Sequence, residues 1–591
     1  MTVLVDRPVA AEPTINRSES LQANGHGMSS RGDSSSFWRR LKPDANEGTI
    51  VCAASFLLYL VAAMLLAFKY QLYPDDAVSR LANGFYVLYS RDPHLAAMGF
   101  VWNPLQSICD LVPLLFKSLW HALATRDVAG SLVSVVCMTG AVHQLRASLA
   151  EWGVWRGPRL VLTAIFAVSP MMVYFGANGM SEALYLFTLL ATTRYLLRWQ
   201  RTDDLRSLVY AATALGLAYL ARNEAVAAAA ISGILVLAVS FMRSNASLRS
   251  RVTSALTDTT IFLMPFIVTF VGWATTSFVI TGQAFPQAAG NSIQVKTSGF
   301  SAGSLGTRLL HEVSALESLA PLLPLVLGVA LAVAWRRRDH AVLIPLAVLG
   351  GGLAFDLVAY DGGSLFPWLR YYILVIPIDV LVLGSLLTTS QSTMMIKQLA
   401  GGHGNRQVRR ATIAAMGISL IALVPSLPTS AIAMVSPTLG QGETLEYLGP
   451  IFHVHLTALD RAAKKNYSHI QAIDAYLERM NLPDGDLIVD NIDTCLPNLI
   501  VNSSNPRIFV IPNDRDFQKV LSAPLTFGTH YILVSVPSGI DAQDAILAAY
   551  PNIYNSGDGF STEVHQFAGG GLCPAFRLFR VTGQPPGVRG F

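Results

Sequence analysis

The stretch that follows the first long apolar run, YQLYPDDAVSRLANGFYVLYSRDPHLAAMGFVWNPL, carries two adjacent carboxylates, Asp75 and Asp76. Adjacent acids repel and partial dehydration disfavours charge, so one of the pair can accept a proton near neutral pH. The same dipeptide also suits a Pro-Asp-Asp turn that opens a loop into water. Arg80 and Arg91 lie in the same stretch, Arg222 and Glu224 in the tight turn YLARNEA, Glu182 at the end of GANGMSE, and Arg370 after AYDGGSLFPW. A charge in or near a bilayer costs roughly 2.5–3.5 kcal/mol on insertion scales, so such groups face a bundle interior, pair, or serve a site. Arg222 with Glu224, or Arg80 with Asp76, could be purely structural pairs. Several arginines on one side favour an anion instead, and a guanidinium is shaped for phosphate. Glu182 and Glu224 could order a second substrate or neutralise the arginines. His94 could contact a phosphate or shuttle a proton, or simply be solvated. Tyr371 and Tyr372 read as an interfacial aromatic belt before they read as a sugar platform. Gln294, Lys296, Asn245 and Asn502 carry no role in this reading.

The elements that must position these groups are apolar helices. Hydrophobic residues make up 52% of the 591 residues and charged ones 14%, against roughly a quarter charged in soluble domains. With 42 Lys and Arg against 38 Asp and Glu, the net charge is +4. That is too little basic excess to grip nucleic acid through its phosphates. About eleven runs approach the ~20 residues needed to span ~30 Å of hydrocarbon. They are Ile50–Phe68, Val128–Leu145, Leu160–Phe175, Ala183–Leu197, Leu208–Leu220, Ala225–Met242, Ile261–Ile280, Pro321–Trp335, Ala341–Val358, Tyr371–Thr388 and Thr412–Met434. The first follows a long Ser-, Gly- and Asn-rich leader and reads as a retained span, not a cleaved signal. Residues 1–48 read as a disordered cytoplasmic tail, because they hold too few large apolar groups to offset the entropy of ordering.

Every second connection is basic, with Arg39, Arg146, Arg156, Arg159, Arg198, Arg243, Arg249, Arg336 and Arg409 among its cations. Positive short loops stay on the cytoplasmic side, so the N-terminus is expected inside and everything after Met434 outside. Residues 49–436 form the expected bundle, with an external loop over 69–127. Residues 437–591 change character. A helical stretch Ile470–Met480, the strand-like DLIVDN, HYILVSV and FRLFRV, and a second helical stretch Ala542–Ala549 read as a small extracytoplasmic α/β domain. Of the five cysteines, Cys495 and Cys573 are the one pair in a setting polar enough for a bridge, and no CxxC or Cys/His spacing marks a zinc or iron–sulfur site.

An opening span followed at once by an outward Asp-Asp loop, then a many-helix bundle and an external C-terminal domain, resembles the GT-C superfamily of integral membrane glycosyltransferases. The motif content is Tyr-Pro-Asp75-Asp76 with Arg80 nearby. The resemblance implies transfer of a hexosyl or pentosyl residue, with inversion, from a polyprenyl-phosphate sugar to an acceptor hydroxyl on a glycan, glycolipid or protein. It further implies Asp75 as base, Asp76 orienting the acceptor or helping to hold a divalent cation (Mg or Mn) where one is used, and Arg80, Arg91, Arg222 and Arg370 on the donor phosphate. The chain departs from the Asp-Glu-x-Arg-Tyr form of the protein O-mannosyltransferase and aminoarabinose-transferase branches. Arg80 comes four residues after Asp76, and Leu81 stands where those branches have an aromatic ring. Its tail and external domain look more like bacterial cell-envelope enzymes that build mannans, arabinans and related glycolipids. The rival reading is a transporter or flippase of a lipid-linked or anionic solute, with the same charges lining a path. Against it stand the absence of duplicated halves in the sequence and the confinement of these charges to one side.

Overall fold

The computed structural model describes residues 45–243, 247–286, 295, 303–388, 404–452, 466–492, 495–537, 544–570 and 573–585. The expected tail up to residue 44, together with Asn245, Gln294 and Lys296, lies outside these. Helix α1 (Ala45–Met64) begins inside the stretch expected to be tail, because Glu47 is buried against Arg146 and Arg159. It continues as a π-helical turn to Tyr70 and stops at Gln71, whose φ of 53° turns the chain out of the helix.

The bundle continues with α2 (Asp75–Tyr89), α3 (Leu105–Leu114), α4 (Val128–Glu151), α5 (Arg156–Val168), α6 (Pro170–Phe175), α7 (Glu182–Thr202), α8 (Leu205–Ala221), α9 (Ala225–Arg243) and α10 (Leu248–Thr281). After these come α11 (Leu305–Leu319), α12 (Leu323–Arg337), α13 (Leu343–Asp361), α14 (Val375–Leu386), α15 (Gly404–Leu423), α16 (Ser426–Met434) and α17 (Thr444–Phe452). Helix α4 packs on α1 and α7, α8 on α7 and α10, and α9 on α10 and α13. The protein is a multi-pass helical membrane protein. Among the described residues seven helices are long and apolar enough to cross a membrane, or eight if α11 and α12, bent by 80° at their break, count as one span. The other three expected runs fall on α5 with α6, on α7 and on α8. The first is broken at Ser169–Pro170, the second carries Arg194, Arg198 and Arg201, and the third has 17 residues. By length and composition alone, the described residues therefore support fewer crossings than eleven.

Helix α2 lies off the spanning set. It starts after Pro74 and is buried on every side from Arg80 to Tyr86, with Ala77 and Val78 buried ahead of them. Part of this surface shares a hydrophobic cluster with the C-terminal region. Leu81, Phe85 and Tyr86 belong to the same core as Ile470 and Ile473 of α18 (Asn466–Met480) and Leu499 and Ile500 of α19 (Leu496–Asn502). The sheet beyond has the order β2-β1-β3-β5-β4, from β1 (Leu487–Ile488), β2 (Phe509–Val510), β3 (Tyr531–Ser535), β4 (Ser561–Phe567) and β5 (Phe576–Val581). Strand β1 pairs parallel with β2 and β3, whereas β5 is antiparallel to β3 and β4. A disulfide joins Cys495 to Cys573, fastening the start of α19 to the β4–β5 hairpin.

Candidate functional site

Asp75 and Asp76 occupy the first turn of α2, where the partial positive charge of a helix N-terminus favours carboxylates. Arg80 lies one turn further on the same face. Its Nη1 donates to the Asp76 carbonyl at 2.9 Å and lies 4.0 Å from the Asp76 carboxylate, while its guanidinium sits 4.1 Å over the Trp102 ring. Arg370 comes from a different part of the chain, the 3-10 turn Leu369–Tyr372 that leads into α14. Its Nη2 donates to Asp76 Oδ2 at 2.9 Å, its Nη1 lies 3.0 Å from Glu443, and its Nε lies 3.8 Å from Glu182. The rings of Trp368 and Tyr371, stacked at 6.0 Å, flank that guanidinium at 4.4 and 5.2 Å. Burial pushes the Asp76 carboxyl up, but Arg370 and Arg80 outweigh it and hold the group below its ordinary value.

Helix α8 ends at Ala221, and Arg222 follows in extended conformation, so its side chain turns into the bundle instead of continuing the helix. It bonds Glu182 at 2.5 Å and Glu224 at 2.8 and 2.5 Å, and lies 5.8 Å from the Tyr371 ring. Glu182 opens α7 with its side chain 2% exposed. The turn before it requires glycine at 179. The φ there is +79°, and an added Cβ would collide with the Asp127 carboxylate. Asp76, Arg80, Glu182, Arg222, Glu224 and Arg370 thus meet in one ion-paired cluster, buried or half-buried throughout.

Arg91 and His94 do not join it. At ~1.5 Å per helical residue, the far end of α2 lies about 20 Å from Asp76. There Arg91 binds Asp514 at 3.1 Å and also Asp516, both beyond β2, while His94 Nδ1 contacts the Asp92 carbonyl at 2.7 Å. Nor do Tyr371 and Tyr372 form an exposed belt. Both are buried, one against the two arginines and the other against His311. Asn502 bonds the Asn498 carbonyl within α19.

Three groups at this site had no sequence expectation. Glu443, just before α17, reaches Arg370, and the Tyr447 hydroxyl accepts from the Asp75 backbone N–H at 3.2 Å. The segment that leaves the last apolar helix therefore folds back over both acids of α2, and nothing in SPTLGQGETLEYLGP announces that return. Asp356 of α13 is 4% exposed, with Oδ1 accepting no hydrogen bond among the described residues. A lone acid in the apolar run GGLAFDLVAY is itself a signal that could have found it. Among the described residues neither Glu443 oxygen accepts a hydrogen bond, nor does Glu182 Oε2, and Arg370 Nε has no acceptor. Buried polar atoms are seldom left so, which marks unused bonding capacity.

One residue from Arg222, a cavity of about 180 Å³ opens, lined by Asn103, Asn223 and the rings of Phe100, Tyr219, Phe270 and Trp273 among others. Among the described residues no group of three or more His, Cys, Asp or Glu side chains is arranged to hold a metal ion. Asp76, Glu182 and Glu443 converge on a guanidinium, whose charge sits where a cation would have to. As arranged, these residues do not fit a divalent cation, and no step is routed through one.

Neither a family model nor a curated protein sequence matches this chain. Among solved structures it is similar to ArnT from Cupriavidus metallidurans bound to undecaprenyl phosphate, with 12% identity over 91% of this chain and 98% of that one and a TM-score of 0.48. It is also similar to the oligosaccharyltransferase AglB from Archaeoglobus fulgidus in complex with an inhibitory peptide and a dolichol-phosphate, with 10% identity over 83% of this chain and 69% of that one and a TM-score of 0.44. A third is the arabinofuranosyltransferase AftD from Mycobacteria, with 14% identity over 92% of this chain and 42% of that one and a TM-score of 0.43. At TM-scores below 0.5 these likenesses fix neither a substrate nor a residue's role.

Proposed function

We propose that this chain is a membrane glycosyltransferase of the GT-C kind, which moves a hexosyl or pentosyl residue from a polyprenyl-phosphate sugar to an acceptor hydroxyl. The observation that carries this reading is Arg370, buried and shared by Asp76, Glu182 and Glu443, with Arg222 alongside and an apolar, aromatic-lined cavity beginning at Asn223. A lipid-borne phosphate needs this combination of guanidinium for its charge and apolar surface for its chain.

Asp76 is committed to Arg370 and Arg80 and is held below its ordinary value, which suits it to orienting an acceptor and leaves it a weak base. Its neighbour Asp75, half-buried on the same turn, is assigned the base. It takes the acceptor's proton as the acceptor oxygen attacks the anomeric carbon from the face opposite the phosphate. The new bond forms as the sugar–phosphate bond breaks, so configuration inverts. Negative charge grows on the departing phosphate, where Arg222 and Arg370 stabilise it without reorganising. A positioned base contributes about 10²–10⁴-fold, and fixing the two reactants supplies much of the rest. Arg91 and His94 have no part in this scheme, because they lie at the far end of α2, Arg91 bound to Asp514 and Asp516 and His94 against Asp92.

Nucleotide sugars are not available outside the cell membrane, so a lipid donor suits an outward-facing site. The arrangement proposed has the N-terminus cytoplasmic, the site and residues 437–591 extracytoplasmic, and an envelope glycan or glycolipid, such as a mannan, as the product. The test uses the purified full-length protein with a radiolabelled polyprenyl-phosphate sugar. Label transfer lost in Asp75→Asn, with donor binding kept, supports the enzyme. Substrate counterflow in vesicles that ignores the same change would point to a transporter.

A further inference from the structure

All three nitrogens of the Arg370 guanidinium are met by carboxylates. Nη2 is bonded to Asp76 at 2.9 Å, Nη1 lies 3.0 Å from Glu443, and Nε lies 3.8 Å from Glu182. Nε makes no hydrogen bond among the described residues, but the edge formed by Nη1 and Nη2 is taken on both nitrogens, so a phosphate that grips this edge must displace a carboxylate. The three are unequally held. Asp76 is also supported by Arg80 and by the start of its helix. Glu182 is bonded to Arg222 at 2.5 Å. Glu443 has Arg370 as its ion-pair partner and, among the described residues, no other, and neither of its oxygens accepts a hydrogen bond. It also rides on the segment between α16 and α17. The neighbouring Thr444 hydroxyl holds that segment to the Met434 carbonyl at 2.7 Å, so the backbone there is anchored independently of the Glu443 side chain.

We infer that Glu443 is a placeholder, an internal acid occupying the edge of Arg370 that the phosphate of a lipid-linked donor takes, and that it vacates this edge when the phosphate binds. The inference rests on the reading of the site as one for a lipid-borne phosphate and adds the seat and the group that must leave it. Charge bookkeeping agrees. Four acids, Asp76, Glu182, Glu224 and Glu443, share three guanidiniums, those of Arg80, Arg222 and Arg370, so one acid is surplus until it takes up a proton. The groups facing Glu443 are Arg370, Asp76, Glu182 and Arg222, with the Tyr174 hydroxyl of α6. Burial pushes its carboxyl up to about 8 despite Arg370, with Glu182 and Asp76 adding to the rise. Below that pH the acid is protonated and yields Arg370 readily. Above it the carboxylate competes with phosphate.

The experiment measures the affinity of the full-length protein, in lipid nanodiscs, for a long-chain polyprenyl monophosphate at pH 7 and pH 9. The uncharged polyprenol is the control for the chain. Comparing Glu443→Gln with wild type at each pH cancels the ionisation of the phosphate itself. If an ionised Glu443 blocks the seat, only the remaining fraction binds, so the amide variant should bind roughly tenfold tighter at pH 9 and within about twofold at pH 7. Polyprenol should bind both alike. Should Glu443→Gln fail to fold, Glu443→Asp, shorter by one methylene and withdrawn from Arg370, should tighten binding at pH 9 in the same direction. No tightening at pH 9, with phosphate-dependent binding still lost in Arg370→Gln, overturns the placeholder and leaves the donor reading standing. Unchanged binding in Arg370→Gln overturns both.

Discussion

Buried charge gathers at both ends of α1, in opposite proportions. At the Ala45 end a single acid, Glu47, is gripped by Arg146 at 3.2 Å, Arg156 at 3.2 Å and Arg159 at 2.7 Å, with both of its oxygens engaged. At the Asp76 end acids outnumber guanidiniums, and several buried oxygens accept nothing. In the first arrangement both oxygens of the acid are taken and, among the described residues, the one atom left over is a donor, Arg146 Nε; it ties α1 to α4 and α5. It is a fastening, and its cationic surplus suits the side of a membrane where positive loops are retained. The second is held together but, among the described residues, not satisfied, as the proposed seat for an anionic ligand requires. Ion pairs alone therefore do not distinguish structure from function here; the balance of donors and acceptors does.

The comparison is broken most directly by Asp76→Asn. At the Asp76 end this should cut sugar transfer by about 10²-fold through misplacement of the acceptor, with the protein still folded, measured with labelled polyprenyl-phosphate sugar. Near-normal turnover would reduce both clusters to fastenings. The converse change, Glu47→Gln, leaves buried guanidiniums underpaired and should cost about 3–5 kcal/mol of stability. Unfolding in detergent would reveal it, with transfer per folded molecule unchanged. A smaller loss is expected from Cys495→Ser. The bridge closes a loop with a sequence separation of 78, and opening it should cost about 2–4 kcal/mol, seen as earlier melting of the C-terminal sheet and reproduced in wild type by reductant. The finest test is Trp102→Ala, which removes the ring under Arg80. A contact of this kind is worth about 1 kcal/mol, so sugar transfer, which relies on Arg80 to hold Asp76, should fall about fivefold while polyprenyl-phosphate binding holds.

Hydropathy placed the apolar helices because burial in lipid leaves a compositional record, and the turn YLARNEA disclosed Arg222 with Glu224 because both partners lie in one short stretch. Asp76 stood out for the same reason, being an acid in an aromatic loop. What failed was the assumption that neighbours in sequence act together. Arg91 and His94 share a loop with Asp76, but α2 is a rigid rod that carries them to its far end, where Arg91 meets Asp514 and Asp516. Conversely, Glu443 and Asp76 meet only because a polar segment doubles back, and no local pattern encodes such a return. Strand β4 went unread for a related reason. It is an edge strand exposed over most of its length, so its side chains never alternate between oil and water as a half-buried strand's do.

The Asp75 amide and the Tyr447 hydroxyl that receives it stand 372 residues apart in the chain, and Arg370 reaches Asp76 across 294. A ribosome delivering this protein into a membrane therefore releases the first acids long before the groups that complete them. Until the last helices are inserted and the strap behind them has closed, a nascent or prematurely ended chain carries the acids of α2 with Arg80 but without Arg370 and Tyr447. On the proposed function such a chain would be inert toward lipid-linked sugars, and quality control of insertion and control of activity would then be one event.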